Sequence, residues 1–139
     1  MEDSGKEIAY PSIEDICEIN RRMIEESDGL FFPPDNLLNL NSLEYILTNI
    51  EFPFYEMYTT IKEKAAALAY HIISRHVFND GNKRTAAQAA FEFLRANDVS
   101  LFIDPSIVEL TEEIAENRAT QSEVLKWLHE HQSGPDPVY

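Results

Sequence analysis

A short polar turn joins two stretches of helical periodicity, and this pairing restricts the possible folds of the chain more than any other feature. The turn, Asn79-Asp80-Gly81-Asn82, has a composition that favours positive φ angles and hydrogen bonds from side chain to backbone. Each flanking pattern predicts a helix with one buried face, the second running from about Asn82 to Ala96. The apolar residues of the two faces are Ile61, Ala65, Leu68 and Ile72 before the turn, and Ala86, Ala90, Phe93 and Leu94 after it.

The start of the second predicted helix is suited to bind phosphate. A helix N-terminus carries roughly half a positive charge and several unpaired N–H donors. Because Gly81 allows close approach of the backbone, the amides of Gly81 and Asn82 are candidates to hold an oligophosphate. Lys83 adds a point charge, and Arg84 adds a planar fork of donors. Between positions 75 and 95 the sequence has four basic residues and two acidic ones, although the whole chain has a net charge of −14.

Two further residues of this segment have side chains suited to catalysis. A neutral imidazole such as that of His76 can accept a proton from a hydroxyl group. The Asp80 carboxylate can bind Mg²⁺, which typically takes one or two carboxylates together with phosphate oxygens. His76 alone would more often be a satisfied or solvated histidine than a catalyst. The spacing of His76 and Asp80 relative to Gly81 and to the two cations favours a phosphate-transfer site.

The segment resembles the signature of the Fic/Doc family. That signature begins His-x-Phe-x-Asp/Glu-Gly/Ala-Asn, and residues 76–82 match it at every position. The sequences Asn-Lys-Arg-Thr-Ala at 82–86 and Phe-Leu-Arg-Ala-Asn at 93–97 are similar to the Doc, or death-on-curing, branch. The resemblance implies an all-α Fido fold of about six helices, with the motif on a central helix pair and a short flap nearby.

Departures from the Fic signature indicate the type of reaction. Fic AMP-transferases usually have Gly where this chain has Lys83, and a second Arg where it has Ala87. Fic enzymes generally move AMP from ATP to a protein hydroxyl, whereas Doc is understood to transfer the γ-phosphoryl group. The resemblance therefore implies a kinase-like phosphotransferase that uses ATP, or another nucleoside triphosphate, with Mg²⁺.

The same resemblance assigns roles to individual residues. His76 is the implied general base for a Ser or Thr hydroxyl, Asp80 the Mg²⁺ ligand, and Arg84 a stabiliser of charge on the transferring group. The Doc pattern has Asn at the place of Gln88, and Gln can make the same amide contacts with a longer reach. Phe78 is predicted to anchor the loop in the core. The implied phosphate-binding residues are Gly81, Asn82, Lys83, Arg84 and Gln88.

The resemblance also implies a target and a partner. Phe52, Phe54 and Tyr55 lie where members of the family have a flap that aligns the target backbone, although Phe52 and Phe54 could instead fill the core. The inhibitory helix of Fic proteins bears Ser/Thr-x-x-x-Glu-Gly/Asn, but Glu112 stands where the hydroxyl residue would precede Glu116-Asn117. The expected restraint is therefore a separate antitoxin polypeptide of a type II toxin–antitoxin pair. The implied protein target is a translation factor such as elongation factor Tu.

Composition and the remaining periodicity define the rest of the prediction. The 139 residues suit one domain, 1–139, whose ends at 1–10 and 133–139 are predicted to fray. The acidic balance argues against a nucleic-acid partner. The sequence contains neither a signal peptide nor an apolar run long enough to span a membrane, so we expect a cytoplasmic protein without a membrane partner.

Four further helices are indicated outside the motif. The first covers about residues 13–27, and a short second helix opens at Asn41 or Ser42. A third follows Asp104-Pro105, and the last follows Thr120. With the central pair, these helices make up the predicted all-α fold.

Other interpretations of the same residues have to be weighed. Asp80-Gly81 is also a common hairpin turn, but a hairpin needs alternating strands on both sides, and here both flanks are helical. His129 and His131 are two residues apart and face different sides of a helix, which argues against a metal site. Two alternative functions remain open, namely an AMP-transferase on the same fold and a module that binds a nucleotide or partner without catalysis.

Overall fold

Six helices and two short strands make up the computed structural model, which describes residues 7–53 and 58–136. The predicted all-α fold with about six helices is confirmed. Within these two ranges, no helix has both the length and the apolarity needed to cross a bilayer. The elements are α1 (Ile13–Ser27), α2 (Leu40–Glu51), α3 (Ile61–Ser74), α4 (Asn82–Ala96), β1 (Ser100–Leu101), α5 (Ser106–Ala115), α6 (Gln121–Glu130) and β2 (Gln132–Ser133).

Local capping signals determine where most helices begin. Ser12, Thr60 and Thr120 each open a capping box, in which the hydroxyl accepts from the third helical amide and an acidic side chain accepts from the cap amide. The predicted start of α2 at Asn41 or Ser42 is wrong. Asn39 is the N-cap, because its side chain accepts from the Ser42 amide, and the helix begins at Leu40.

Helix α3 lies at the centre of the core and packs against α2, α4, α5 and α6. The predicted stripe residues Ala65, Leu68 and Ile72 are fully buried. Their neighbours Ala66, Ala67 and Ala69 are buried as well, so the apolar surface of α3 is wider than the periodicity indicates. Small alanine side chains allow α4 and α6 to approach this helix closely. The motif that follows α3 therefore starts from a largely buried helix that contacts four other helices.

Two lysines that the periodicity places off the apolar stripe of α3 are nevertheless buried. Lys64 is only 4% exposed, and its ammonium donates to the Ile50 carbonyl near the end of α2. Lys62 forms an ion pair with Asp136, with 3.1 Å between Nζ and Oδ1. Long lysine stems can cover apolar surface while the charged group reaches an acceptor. Burial lowers the pKa of Lys64, as desolvation disfavours its charged form.

Residues near both limits of the described part of the chain contact the body of the protein. The Ala9 amide donates to Asn97 Oδ1, and Asn97 Nδ2 donates back to the Ala9 carbonyl. At the other end, β2 pairs antiparallel with β1, placing Ser133 opposite Ser100. Ala9 and Ser133 are thus bonded to the body of the protein, and the predicted fraying of residues 1–10 and 133–139 stays a prediction. Backbone pairing of this kind satisfies polar groups that an unpaired tail would leave to water.

A cluster of polar contacts joins the start of α5 to the end of α6. His131 lies between two acceptors, with Nδ1 2.8 Å from the Trp127 carbonyl oxygen and Nε2 3.1 Å from Asp104 Oδ2. Its ring stacks on the Trp127 indole at a centroid distance of 3.8 Å. The Trp127 indole N–H donates to Ser106 Oγ, which in turn donates to Asp104. Asp104 therefore receives hydrogen bonds from both helices.

These contacts predict an acid-sensitive contribution to stability. Hydrogen bonds from Ser106, and then from His131, hold the pKa of Asp104 below its ordinary value of 3.8. As pH falls, the Asp104 carboxylate takes up its proton at a higher pH in the unfolded chain than in the folded protein. The stabilising effect is therefore present above the ordinary pKa and is lost as pH falls through the folded-state pKa. We expect the difference in free energy of unfolding between wild type and Asp104→Asn to shrink from about pH 6 to about pH 3. Urea unfolding at both pH values measures it, and a constant difference would contradict the prediction.

Candidate active site

The motif loop leaves α3 through a left-handed turn. His76 has φ of 51°, a conformation that histidine adopts more readily than β-branched residues, and its side chain is exposed. Val77 and Phe78 are fully buried, which confirms the prediction that Phe78 anchors the loop. The Val77 carbonyl accepts from the amides of Leu38 and Asn39. The segment before α2 is thereby joined to the loop that carries His76.

Asn82 closes the loop with its side chain. Its Oδ1 accepts from the Phe78 amide and its Nδ2 donates to the Phe78 carbonyl, both at 2.8 Å. The side chain is therefore committed to the loop. Because the side-chain amide of Asn82 is occupied, its backbone amide is the group that matches the predicted role in phosphate binding.

The N-terminus of α4 is left open to a ligand. Its N-cap is Gly81, with φ of 81°, and no side chain caps this end. The amides of Asn82, Lys83 and Arg84 belong to the first turn, whose donors lack acceptors within the helix. The side chains of Lys83 and Arg84 are exposed beside them. An anion at this position would meet backbone donors, the helix dipole and two cations together.

The Asp80 carboxylate lies against the same helix start. Oδ1 accepts from the Gly81 amide at 2.9 Å, and Oδ2 accepts from the Leu30 amide at 2.8 Å. Each oxygen keeps a further lone pair, so the carboxylate can bind a cation in addition. Among the described residues, no group of three or more His, Cys, Asp or Glu side chains could hold a metal. A single carboxylate such as that of Asp80 is compatible with an ion such as Mg²⁺, which takes most of its ligands from phosphate and water.

A single cavity of about 400 Å³ brings most of the predicted site residues together. One wall is the motif loop with the start of α4, and the opposite wall comes from the ends of α1, α3 and α5. Arg84 lies at its edge, with its guanidinium 3.5 Å from Glu26 Oε1 in an exposed ion pair. Such pairs are weak, so a phosphate can displace Glu26. The lining residues are Ser27, Ile73, His76, Asn79, Asp80, Gly81, Asn82, Lys83, Arg84 and Ala115.

A buried polar network is hydrogen-bonded to the motif loop on the side that faces the core. Asn20 Nδ2 donates to the Asp80 carbonyl at 3.0 Å and to Thr85 Oγ1 at 2.9 Å. Asn36 Nδ2 donates to the same carbonyl at 3.2 Å and to Asn20 Oδ1 at 2.9 Å. All three network side chains are fully buried. None of the three was predicted as a site residue from the sequence. Asn20 nevertheless carried a signal, since it lies between Ile16 and Ile24 on the apolar face of α1.

The comparison with known proteins agrees with this arrangement. A model described as the Fic/DOC family matches residues 10–94, which include α1, the whole motif loop and most of α4. The chain belongs to the Fic/Doc family. The predicted membership is thus confirmed.

Two relatives place this Fic/Doc protein in the Doc branch, as predicted. It is 39% identical over 74 residues to a protein named Protein kinase doc from Escherichia phage P1, covering 53% of this chain and 59% of that protein. It is 45% identical over 49 residues to a protein named Toxin Doc from Mycolicibacterium smegmatis, covering 35% of this chain and 38% of that protein. The matched part thus spans less than two thirds of either relative.

Gln88 of this Fic/Doc protein lies outside the cavity that the motif loop lines. It lines a neighbouring cavity of about 540 Å³ between α1, α4 and α5, which shares Lys83 and Arg84 with the first. Its Nε2 donates to Glu92 Oε2, which also accepts from Arg22. Burial raises the pKa of Glu92, but the bonds from Gln88 and Arg22 outweigh that effect and leave it lowered. The structure therefore places Gln88 beside the exposed cations Lys83 and Arg84 and not among the loop residues.

The predicted flap is described only in part. Phe52 follows α2 directly and is 69% exposed, so it does not fill the core. Phe54 and Tyr55 lie outside the described residues. The docking role of the three aromatic residues stays a prediction.

Proposed function

We propose that this protein is a Doc-type phosphotransferase, which moves the γ-phosphoryl group of a nucleoside triphosphate to a Ser or Thr hydroxyl of a protein. The observation that carries the proposal is that His76 and the uncapped start of α4 line one cavity. A proton acceptor and an anion-binding helix start are thus available to the same bound substrate. Lys83 and Ala87, at the positions where Fic AMP-transferases usually have Gly and Arg, favour phosphoryl transfer over AMP transfer.

The proposed mechanism follows from these positions. A ring nitrogen of His76 takes the proton of the target hydroxyl as its oxygen bonds to the γ-phosphorus. The bond between that phosphorus and the β–γ bridging oxygen breaks, and the nucleoside diphosphate leaves. Lys83, Arg84 and the first-turn amides of α4 stabilise the charge on the transferring group, the main contribution expected in such a site. Asp80 would hold Mg²⁺, which neutralises phosphate charge when it is bound.

The biological role is proposed from the Doc relatives, of which one is named a toxin and the other a protein kinase. We infer that the chain is the toxin of a toxin–antitoxin pair in the cytoplasm, restrained by an antitoxin polypeptide. An elongation factor such as elongation factor Tu is the proposed target. An AMP-transferase and a module that binds without catalysis are the competing functions.

Separate labelling of ATP at the α- and γ-phosphates tests the proposed reaction. The wild type is incubated with Mg²⁺, labelled ATP and either purified elongation factor Tu or a cell extract. We expect the γ-label, and not the α-label, to appear on a protein band. Transfer of the α-label would instead support the AMP-transferase, and absence of both labels with intact ATP binding would support the binding module. Labelling in the extract without labelling of elongation factor Tu would refute only the proposed target.

A further inference from the structure

We infer that Asn20, Asn36 and Thr85 are positioning residues that direct the Gly81 amide into the phosphate-binding cavity. The inference builds on the proposed function of that cavity. Asn20 and Asn36 both donate to one acceptor, the carbonyl oxygen of Asp80. Thr85 accepts the second Nδ2 hydrogen of Asn20, and Asn20 Oδ1 accepts the second Nδ2 hydrogen of Asn36. Every amide hydrogen of the pair is thus assigned to a definite acceptor.

The geometry of one peptide group links this network to the cavity. The peptide between Asp80 and Gly81 is planar, and in a trans peptide the C=O and N–H bonds point in opposite directions. Two amide donors hold the carbonyl oxygen on the buried side. The Gly81 N–H must then point away from Asn20 and Asn36. On that side it donates to the carboxylate oxygen Oδ1 of Asp80, which shows that an anionic oxygen fits there.

The missing side chain of Gly81 completes the arrangement. A Cβ at this position would lie 3.1 Å from Asn20 Nδ2 and 2.8 Å from Ile24 Cδ1. Glycine therefore leaves the space in which the Asn20 amide reaches the Asp80 carbonyl. In the proposed bound state a phosphate oxygen takes the place of Asp80 Oδ1 on the Gly81 N–H. The buried network keeps that donor oriented before the nucleotide arrives.

A pair of matched variants separates this role from simple stabilisation. Asn20→Ala removes three of the four hydrogen bonds of the network and leaves only the one from Asn36 Nδ2 to the Asp80 carbonyl. Asn97→Ala removes another fully buried asparagine that donates to main-chain carbonyls far from the loop. Both variants should lose stability. We expect Asn20→Ala to weaken the binding of ATP with Mg²⁺ by about tenfold, the usual effect of losing one hydrogen bond to a charged group. Asn97→Ala should bind ATP within about twofold of the wild type, since its contacts lie elsewhere.

The amide resonance of Gly81 provides a second measurement that a merely structural role would not change. In ¹⁵N–¹H spectra it should shift on addition of ATP or inorganic triphosphate to the wild type and to Asn97→Ala. The shift should be lost in Asn20→Ala. If that variant does not fold, Thr85→Val removes only the hydroxyl acceptor, and Thr85→Ser should restore both the shift and the affinity. An Asn20→Ala or Thr85→Val protein with wild-type affinity and a wild-type shift would overturn the inference.

The outcomes for this inference differ from those for the proposed reaction. Triphosphate binding and the Gly81 shift do not require transfer. Wild-type protein that shows both, but transfers no γ-label, would refute the phosphotransferase and uphold the positioning role. Wild-type protein in which triphosphate binds without moving the Gly81 amide, or does not bind, would refute the positioning role.

Discussion

Replacing His76 by Ala is expected to lower γ-phosphoryl transfer by about 10²–10⁴-fold, the usual contribution of a positioned general base. Affinity for ATP should stay within a few-fold of wild type, because the proposed phosphate contacts come from the start of α4 and not from the imidazole. Initial rates with labelled ATP, together with calorimetric binding of ATP, measure the two effects. The result expected is a loss in kcat with little change in the dissociation constant.

Two controls show that such a loss comes from the imidazole. His129 is also exposed but lies on α6 and lines a different cavity, so His129→Ala should transfer phosphate at the wild-type rate. His76→Asn retains a residue that tolerates the left-handed backbone at φ of 51°, and it should fold normally while remaining inactive. Transfer by His76→Ala at the wild-type rate would rule out His76 as the base.

The second large effect is expected for Gly81→Ala, which should lower the free energy of unfolding by roughly 2–4 kcal/mol. One part of the cost is the positive φ of 81°, which costs an L-residue about 1–2 kcal/mol. The other part is crowding, because the new methyl group would lie 2.8 Å from Ile24 Cδ1 and 3.1 Å from Asn20 Nδ2. Both neighbours are buried and have little room to move. Urea unfolding followed by circular dichroism measures the change.

Gly134 offers a matched control for the backbone contribution. It has nearly the same φ, 80°, but a Cβ there would meet nothing within 4 Å. Gly134→Ala should therefore cost only about 1–2 kcal/mol, from the backbone alone. The difference between the two variants reports the crowding at Gly81. Equal costs would mean that Asn20 and Ile24 move aside, and that the loop is less rigid than its contacts indicate.

Local signals explain why much of the fold could be predicted. The bounds of α4 and the start of α1 agree with the sequence, because periodicity and capping residues lie within a few positions of each other. The start of α2 was predicted at the wrong residue because Asn39 and Asn41 are both acceptable caps, and only the structure distinguishes them. The buried Lys62 and Lys64 were missed for another reason. Their acceptors, Asp136 and the Ile50 carbonyl, come from other parts of the chain.

The same distinction applies to the candidate site. The residues that line the cavity from the motif loop are contiguous in sequence, so their chemistry and spacing could be predicted together. The network beneath them could not be predicted, because Asn20 and Asn36 are separated from Asp80 by 60 and 44 residues. The position of Asn20 on the apolar face of α1 indicated that its side chain needs a buried hydrogen-bond partner. Its partner depends on how α1 packs on α4, which no local pattern encodes.

The pair of hydrogen bonds between the Asn82 side chain and the Phe78 backbone has a consequence for control of the proposed activity. A loop whose backbone is already bonded at both ends loses little conformational entropy when a nucleotide binds, so the bound geometry exists before any ligand arrives. Switching such a loop off by melting it would require breaking a buried hydrogen-bond pair. Covering the mouth of the cavity requires no such disruption. A restraining partner should therefore compete with substrates for access and leave the shape of the loop unchanged, so its inhibition should weaken as nucleotide or target concentration rises.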